Sequence, residues 1–179
     1  MFTFKVDHEL ELALVQPSFV KDYYKIVSSE RDYLAQWLNW PLHAQSEEFF
    51  ISFIKHSLHD YAEGKSLTCA LIFQKQVVGN ICYSAINQEL KKVEIGYWLS
   101  AEHQGKGIVT RAVKALITNA FDELGMEKVQ ISVAAENYPS RKVCEKLGMN
   151  QEGIITNAEN LNGQIVDHVI YGLHHSIQQ

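Results

Sequence analysis

Val93-Glu94-Ile95-Gly96-Tyr97-Trp98-Leu99 runs into Ser100-Ala101-Glu102-His103 and then into Gln104-Gly105-Lys106-Gly107-Ile108-Val109. The first part is apolar, aromatic and β-prone, the last part is glycine-rich, and a helical pattern starts at Ile108. The stretch therefore reads as strand, loop, helix. Glycine has no Cβ to hold a ligand off and accepts positive φ, so such a loop can aim several backbone N–H groups into one small volume. The first turn of the following helix adds its own unpaired N–H groups and the positive end of its dipole. The product is an anion site that suits a diphosphate. It is not a P-loop, because Gly107 follows Lys106 where that motif needs a hydroxyl for magnesium, and it is not the Gly-x-Gly-x-x-Gly dinucleotide fingerprint, because position 110 is Thr.

Working outward, the preceding region alternates as sheet: Leu67 to Phe73, a turn at Gln74-Lys75-Gln76, Val77 to Asn87, a break at Gln88-Glu89-Leu90, then Lys92 to Leu99. This is an antiparallel meander that delivers the chain to the glycine loop. Beyond the loop, Ala112, Val113, Leu116, Ile117, Ala120, Phe121 and Leu124 form a helical stripe that Gly125 ends, and Lys128 to Ala134 returns as a strand parallel to the one before the helix. Asn137-Tyr138-Pro139-Ser140 then precedes a short helix, Arg141 to Leu147, which Ser140 is expected to cap and Gly148 to close. The tail gives a hairpin, Gln151 to Ala158 and Val166 to Leu173, around a loop at Asn160-Leu161-Asn162-Gly163.

Upstream, Leu10, Leu12 and Leu14 alternate with Glu11 and Ala13 as a strand, and Pro17 opens a helix carrying Phe19, Tyr23, Ile26 and Val27. Tyr33 to Pro41 is aromatic, with Trp37 and Trp40 read either as core or as the wall of a substrate pocket. Ser46 is a candidate N-cap for a helix that buries Phe49, Phe50, Phe53, Ile54 and Leu58 and stops at Gly64. His56 and His59 share a face of that helix, yet no third or fourth ligand accompanies them, so no metal site is expected.

Residues 1–179 fit one domain, long enough to bury a substantial core. Net charge is −5 without any Lys/Arg-rich run, which argues against nucleic acid as a partner, since neutralising phosphates needs a clustered positive face. Three cysteines, Cys69, Cys82 and Cys144, are an odd number at wide spacing and point to buried thiols in a reducing compartment. Met1 to Asp7 has neither the basic nor the apolar region of a secretion signal, and no apolar run reaches membrane-spanning length, so the cytoplasm is the expected location and no membrane partner is expected.

Gln104-x-x-Gly-x-Val after a strand ending Gly-Tyr-Trp-Leu resembles the coenzyme A loop of the GCN5-related N-acetyltransferases (GNAT), whose pattern is Gln/Arg-x-x-Gly-x-Gly/Ala; Val109 stands where that pattern has a small residue. Asn137-x-x-Ser140 followed by Glu145-Lys146-Leu147-Gly148-Met149 is a second match at compatible order and distance, and the Leu34-x-x-Trp37-x-x-Trp40-Pro41 approach and Glu159-x-Leu161-Asn162-Gly163 resemble the branch that acetylates ribosomal proteins, the RimJ/RimL type. The resemblance spans about Leu10 to Leu173.

It implies an α/β (α+β) acyl-CoA N-acyltransferase fold: a mixed, mainly antiparallel central sheet of about seven strands flanked by helices, with one splayed parallel pair. It also implies acetyl-CoA as co-substrate, no metal, and direct attack of a primary amine in a ternary complex. Free backbone groups near Trp98 and Leu99 would bind the pantetheine by strand addition, and Gln104, Gly105, Lys106, Gly107, Ile108 and Val109 the pyrophosphate, with Asn137 and Ser140 beside the arm. Three readings of the base stay open: Glu159 at the last hairpin, Glu94 on the motif strand, or a water chain. Ser140 is the candidate acid for the departing sulfur, whereas Tyr138 is not assigned that role. A protein N-terminal α-amine is the first-choice acceptor, because an amine of pKa ~7.8 is roughly 10% neutral at pH 7 whereas a lysine is below about 0.1%. Polyamine or aminoglycoside-like amines, and an acyl-CoA sensor without turnover, are the alternatives. Monomer and homodimer are both compatible with the branch.

Overall fold

The computed structural model describes residues 3–175; Met1 and Phe2, at the start of the amino-terminal stretch read above, lie outside them. The strands are β1 (Thr3–Lys5), β2 (Leu10–Leu14), β3 (Leu67–Phe73), β4 (Gln76–Asn87), β5 (Lys92–Leu99), β6 (Lys128–Ala134), β7 (Asn150–Leu161) and β8 (Gln164–His174). They form one sheet in the order β1-β2-β3-β4-β5-β6-β8-β7. The eighth strand, beyond the seven in the sequence pattern, is the short β1, exposed throughout and held against β2 by Thr3↔Ala13 to Lys5↔Glu11. Every neighbouring pair is antiparallel except β5 and β6, the two strands joined by the helix after the glycine loop.

The helices are α1 (Val20–Ser29), entered through a 3₁₀ turn at Pro17–Phe19, α2 (Arg31–Ala35), α3 (Glu47–Ala62), α4 (Ile108–Asp122) and α5 (Tyr138–Lys146). They cover the sheet on both faces because the central strand β3 is apolar in both directions, Cys69, Leu71 and Phe73 facing one core and Ala70 and Ile72 the other. On one face Val93 and Ile95 of β5 pack with Ile108, Ala112, Val113 and Leu116 of α4 and with Cys144 of α5. On the other, Ala70 and Ile72 of β3 pack with Tyr23 and Val27 of α1 and Phe50 and Ile54 of α3. Trp40 belongs to this second core: its ring stacks on Phe49 at 6.0 Å and meets Trp98 at 6.0 Å. Ser46 occupies the N-cap position of α3, although its side chain makes no capping bond there.

Two local expectations change. Ser140 does not cap α5. That helix starts two residues before it, at Tyr138, and Asn137 is the N-cap, its side-chain oxygen accepting from the Ser140 amide at 3.2 Å. The reason is Pro139, which is well tolerated in a first helical turn and so lets the helix start ahead of Ser140. The last hairpin is also tighter than expected, with a two-residue turn at Asn162-Gly163 where both residues have positive φ (52° and 95°). The ladder therefore extends to the tip and places Glu159 in strand β7, opposite Val166, rather than in a loop.

Candidate active site

The parallel pairing of β5 and β6 covers Lys92↔Lys128, Val93↔Val129 and Glu94↔Gln130 and then ends. Beyond it β5 runs on to Leu99 against β4, and β6 runs on to Ala134 against β8, so a gap opens between them. The Ser100 amide donates to Val78 O at 2.8 Å. Because peptide groups alternate along an antiparallel ladder, those of Gly96 and Trp98 also face β4, and those of Tyr97 and Leu99 face the gap. The expectation named Trp98 and Leu99; register turns the peptide groups of Tyr97 and Leu99 to the gap.

At the far end of the gap lies the loop. Gly105 (φ 74°) and Gly107 (φ 69°) are both left-handed, and Gly107 is the N-cap of α4. Among the described residues, no amide from Gly105 to Thr110 donates a hydrogen bond; the series resumes with Arg111 N to Gly107 O at 3.0 Å. These are free donors at the positive end of a fifteen-residue helix. Val109 packs against the core and keeps its amide free, and Ile108 is buried beneath it. The Lys106 ammonium lies over Phe73, 5.8 Å from the ring centre, outside the gap. Gln104 donates to the Tyr33 hydroxyl, and the start of the loop is fixed by Glu30, which accepts from Ser100 Oγ and from the Ala101 amide, both at 2.8 Å.

Gap and loop open into one cavity of about 520 Å³. Tyr97, Trp98, Ser132, Asn137, Ser140, Glu159 and His168 line it, with Tyr33, Trp37 and Leu38 at the approach. Of the three proposed acid–base residues, Glu159 and Ser140 reach this cavity. Glu94 stands where the β5–β6 ladder ends, behind Ser132, whose hydroxyl donates to Glu94 Oε1 at 2.6 Å. Both Glu159 oxygens are held: Asn39 Nδ2 lies 3.3 Å from Oε1 and His168 Nε2 3.1 Å from Oε2. Ser140 Oγ, released from capping, lies 2.7 Å from the Tyr97 hydroxyl. Burial, opposed only in part by that hydrogen bond, pushes the Tyr97 phenol well above its usual range. Tyr138 points elsewhere, half exposed, with its hydroxyl on Glu136.

Tyr97, His168 and Asn39 are the residues that sequence reasoning missed. His168 was within reach of arithmetic: an Asn-Gly turn that pairs Leu161 with Gln164 puts Glu159 opposite Val166, and residue 168 is next on the same face. The bulge between Ile155 and Glu159, with Asn157 at φ 51°, was not foreseeable, nor was the approach of Asn39 across 120 residues. Of the three free cysteines expected to be buried, Cys69 and Cys144 are and Cys82 is partly so. Burial lifts the thiols of Cys69 and Cys144 to about 12 and that of Cys82 to about 11. The histidines on α3 do have acidic company that the sequence reading did not give them: His59 groups with Asp60 and Glu63, and His56 pairs with the same Asp60 at 3.3 Å.

Comparison with known proteins agrees with this geometry. The family model described as acetyltransferase (GNAT) domain matches residues 9–150. The chain is 32% identical over 174 residues to a putative ribosomal N-acetyltransferase, YdaF, of Bacillus subtilis (strain 168), covering 97% of this chain and 95% of that one. It is 31% identical over 169 residues to the ribosomal-protein-serine acetyltransferase of Escherichia coli (strain K12), covering 94% of each. Among solved structures, RimL, a ribosomal L7/L12 alpha-N-protein acetyltransferase in complex with coenzyme A, superposes with a TM-score of 0.93 at 26% identity over 97% of this chain and 98% of that one. With a family model over most of its length and relatives of this identity along nearly all of it, the chain belongs to the GNAT acetyltransferases.

Proposed function

We propose that this protein acetylates the α-amine at the N-terminus of a protein, a ribosomal protein of the kind its relatives are named for, using acetyl-CoA as donor. The observation that carries the reading is the row of unbonded amides from Gly105 to Thr110 at the end of a gap between parallel strands, with a carboxylate and a hydroxyl on the same cavity. These residues fit coenzyme A. The loop amides and the α4 dipole suit a diphosphate, and the Tyr97 and Leu99 peptide groups offer an extended arm the hydrogen bonds of a missing strand.

Acetyl-CoA supplies the acetyl thioester. Glu159, oriented by Asn39 and His168, accepts the proton that the amine nitrogen sheds as it bonds to the carbonyl carbon. Ser140 offers its hydroxyl to the sulfur, which keeps the electron pair of the broken C–S bond. An alkyl thiol titrates near pKa ~8.5, so that sulfur then takes a proton from solvent at neutral pH while Glu159 returns its own to solvent, and the products are amide and thiol. Glu94 does not line the cavity; the Ser132 hydroxyl, which does, donates to it, so a role for Glu94 would pass through Ser132.

The test is to incubate the protein with acetyl-CoA and four acceptors: peptides matching ribosomal-protein N-termini, the same peptides with a blocked α-amine, spermidine, and an aminoglycoside. Free thiol and the acceptor's mass are followed. Thiol release with one acetyl group on the free N-terminal residue is the expected result. Preferential acetylation of spermidine or the aminoglycoside overturns the protein-amine reading, and binding of acetyl-CoA without thiol release from any acceptor favours a sensor.

Gly107→Val is expected to raise the KM for acetyl-CoA about tenfold with kcat within about threefold, because a β-branched residue is strained at φ 69° by roughly 1–2 kcal/mol and the amides it positions shift. Steady-state kinetics with acetyl-CoA as the varied substrate checks this.

A further inference from the structure

We propose that Tyr97 is a positioning residue for Ser140: its phenol donates to Ser140 Oγ and so leaves the serine proton free for the sulfur of coenzyme A. The proposal rests on the acetyl-transfer reading above and deepens it. In the 2.7 Å contact either oxygen can be the donor. The phenol, whose oxygen lone pair is drawn into the ring, is the better hydrogen-bond donor and the poorer acceptor of the two hydroxyls, which gives it the donor role. The other acceptor within reach of the Tyr97 hydroxyl, the Ser140 carbonyl oxygen at 3.5 Å, is too distant to compete.

Capping would normally occupy a serine at this place in the chain. Here Asn137 has that task and meets the Ser140 amide, so the Ser140 side chain owes nothing to the backbone. Once Tyr97 donates, the Ser140 proton has no protein acceptor among the described residues, and both residues line the cavity. A hydroxyl that already accepts one hydrogen bond is a better donor of the next. The Tyr97 ring is packed against the core that holds Cys144 of α5, so the phenol cannot swing away. Burial also keeps it protonated across the neutral range, as a fixed donor rather than a proton source.

Tyr97→Phe removes one oxygen and preserves the ring. The expected result, with acetyl-CoA and a ribosomal-protein N-terminal peptide, is a kcat about tenfold lower and a KM for acetyl-CoA within about twofold of wild type. The double variant Y97F/S140A should match Ser140→Ala alone within about twofold, since Tyr97 acts only through that hydroxyl. A readout without any acceptor is the thiol pKa of bound coenzyme A, followed by thiolate absorbance. It should be depressed by about one unit in wild type, less in Tyr97→Phe, and not at all in Ser140→Ala or the double variant. A raised KM with unchanged kcat overturns the proposal, leaving Tyr97 as a spacer that sets the width of the gap. So does a bound-thiol pKa that Tyr97→Phe leaves as in wild type. If coenzyme A does not bind wild type at all, the acetyl-transfer reading fails and takes this one with it.

Discussion

Replacing Glu159 by glutamine is expected to lower kcat by about 10²–10³-fold while the KM for acetyl-CoA stays within about twofold. Glutamine has the same shape and keeps an oxygen for the Asn39 amide, so the hairpin should remain in place; what it loses is the ability to take a proton. Glu159 lines the same cavity as Trp37 and Leu38, and in the proposed reaction the amine would release its proton there. Glu94→Gln is the companion measurement, and its effect should stay below about tenfold, because that carboxylate does not line the cavity and is held by the Ser132 hydroxyl, which does. Steady-state kinetics on both variants, with circular dichroism to establish folding, separates the two glutamates. A Glu159→Gln enzyme within about threefold of wild type would return the base to Glu94 or to a water chain.

Gly79→Ala should destabilise the fold by about 2–3 kcal/mol, seen as a fall in Tm of roughly 5–10 °C. Gly79 is paired with Leu99 at the end of β4–β5, and a Cβ added to it would come within 3.0 Å of Leu99 Cα and still closer to the Trp98 carbonyl oxygen. Both obstacles are backbone, so the strand itself must move. The displaced strand is the one that borders the gap, and the KM for acetyl-CoA should rise along with the loss of stability. Gly172→Ala is the control: the atoms its Cβ would meet belong to the flexible Glu152 side chain, which can swing aside, and its Tm should fall by less than half as much. Thermal unfolding of the two variants side by side checks the comparison.

The elements around the site were legible because their signals are local. Alternation over Val93 to Leu99, a glycine-rich loop and the apolar stripe from Ala112 to Ala120 each lie within a few residues, and each acts through the 2.0 or 3.6 periodicity or through a single φ angle. The core residues on both sheet faces follow from the same periods. Where a local rule had two ways to be satisfied, sequence chose less well. Asn137 and Ser140 are both good N-cap residues, three apart, and the choice between them rests on where a helix carrying Pro139 in its first turn begins.

The sequence by itself thus determined the order of strands β2 to β8 and of helices α1, α3, α4 and α5, the buried faces, and the glycine loop between β5 and α4. Tertiary structure alone decided who meets whom there. It sets how far the β5–β6 ladder runs before opening, that Tyr97 backs Ser140, that Glu94 stands behind Ser132, and that Asn39 and His168 grip Glu159 from two sides. The physical reason is that a hydrogen bond between residues 120 apart depends on register, twist and a bulge accumulated along several strands, to a precision of tenths of an ångström, whereas a helix or strand needs only its nearest neighbours.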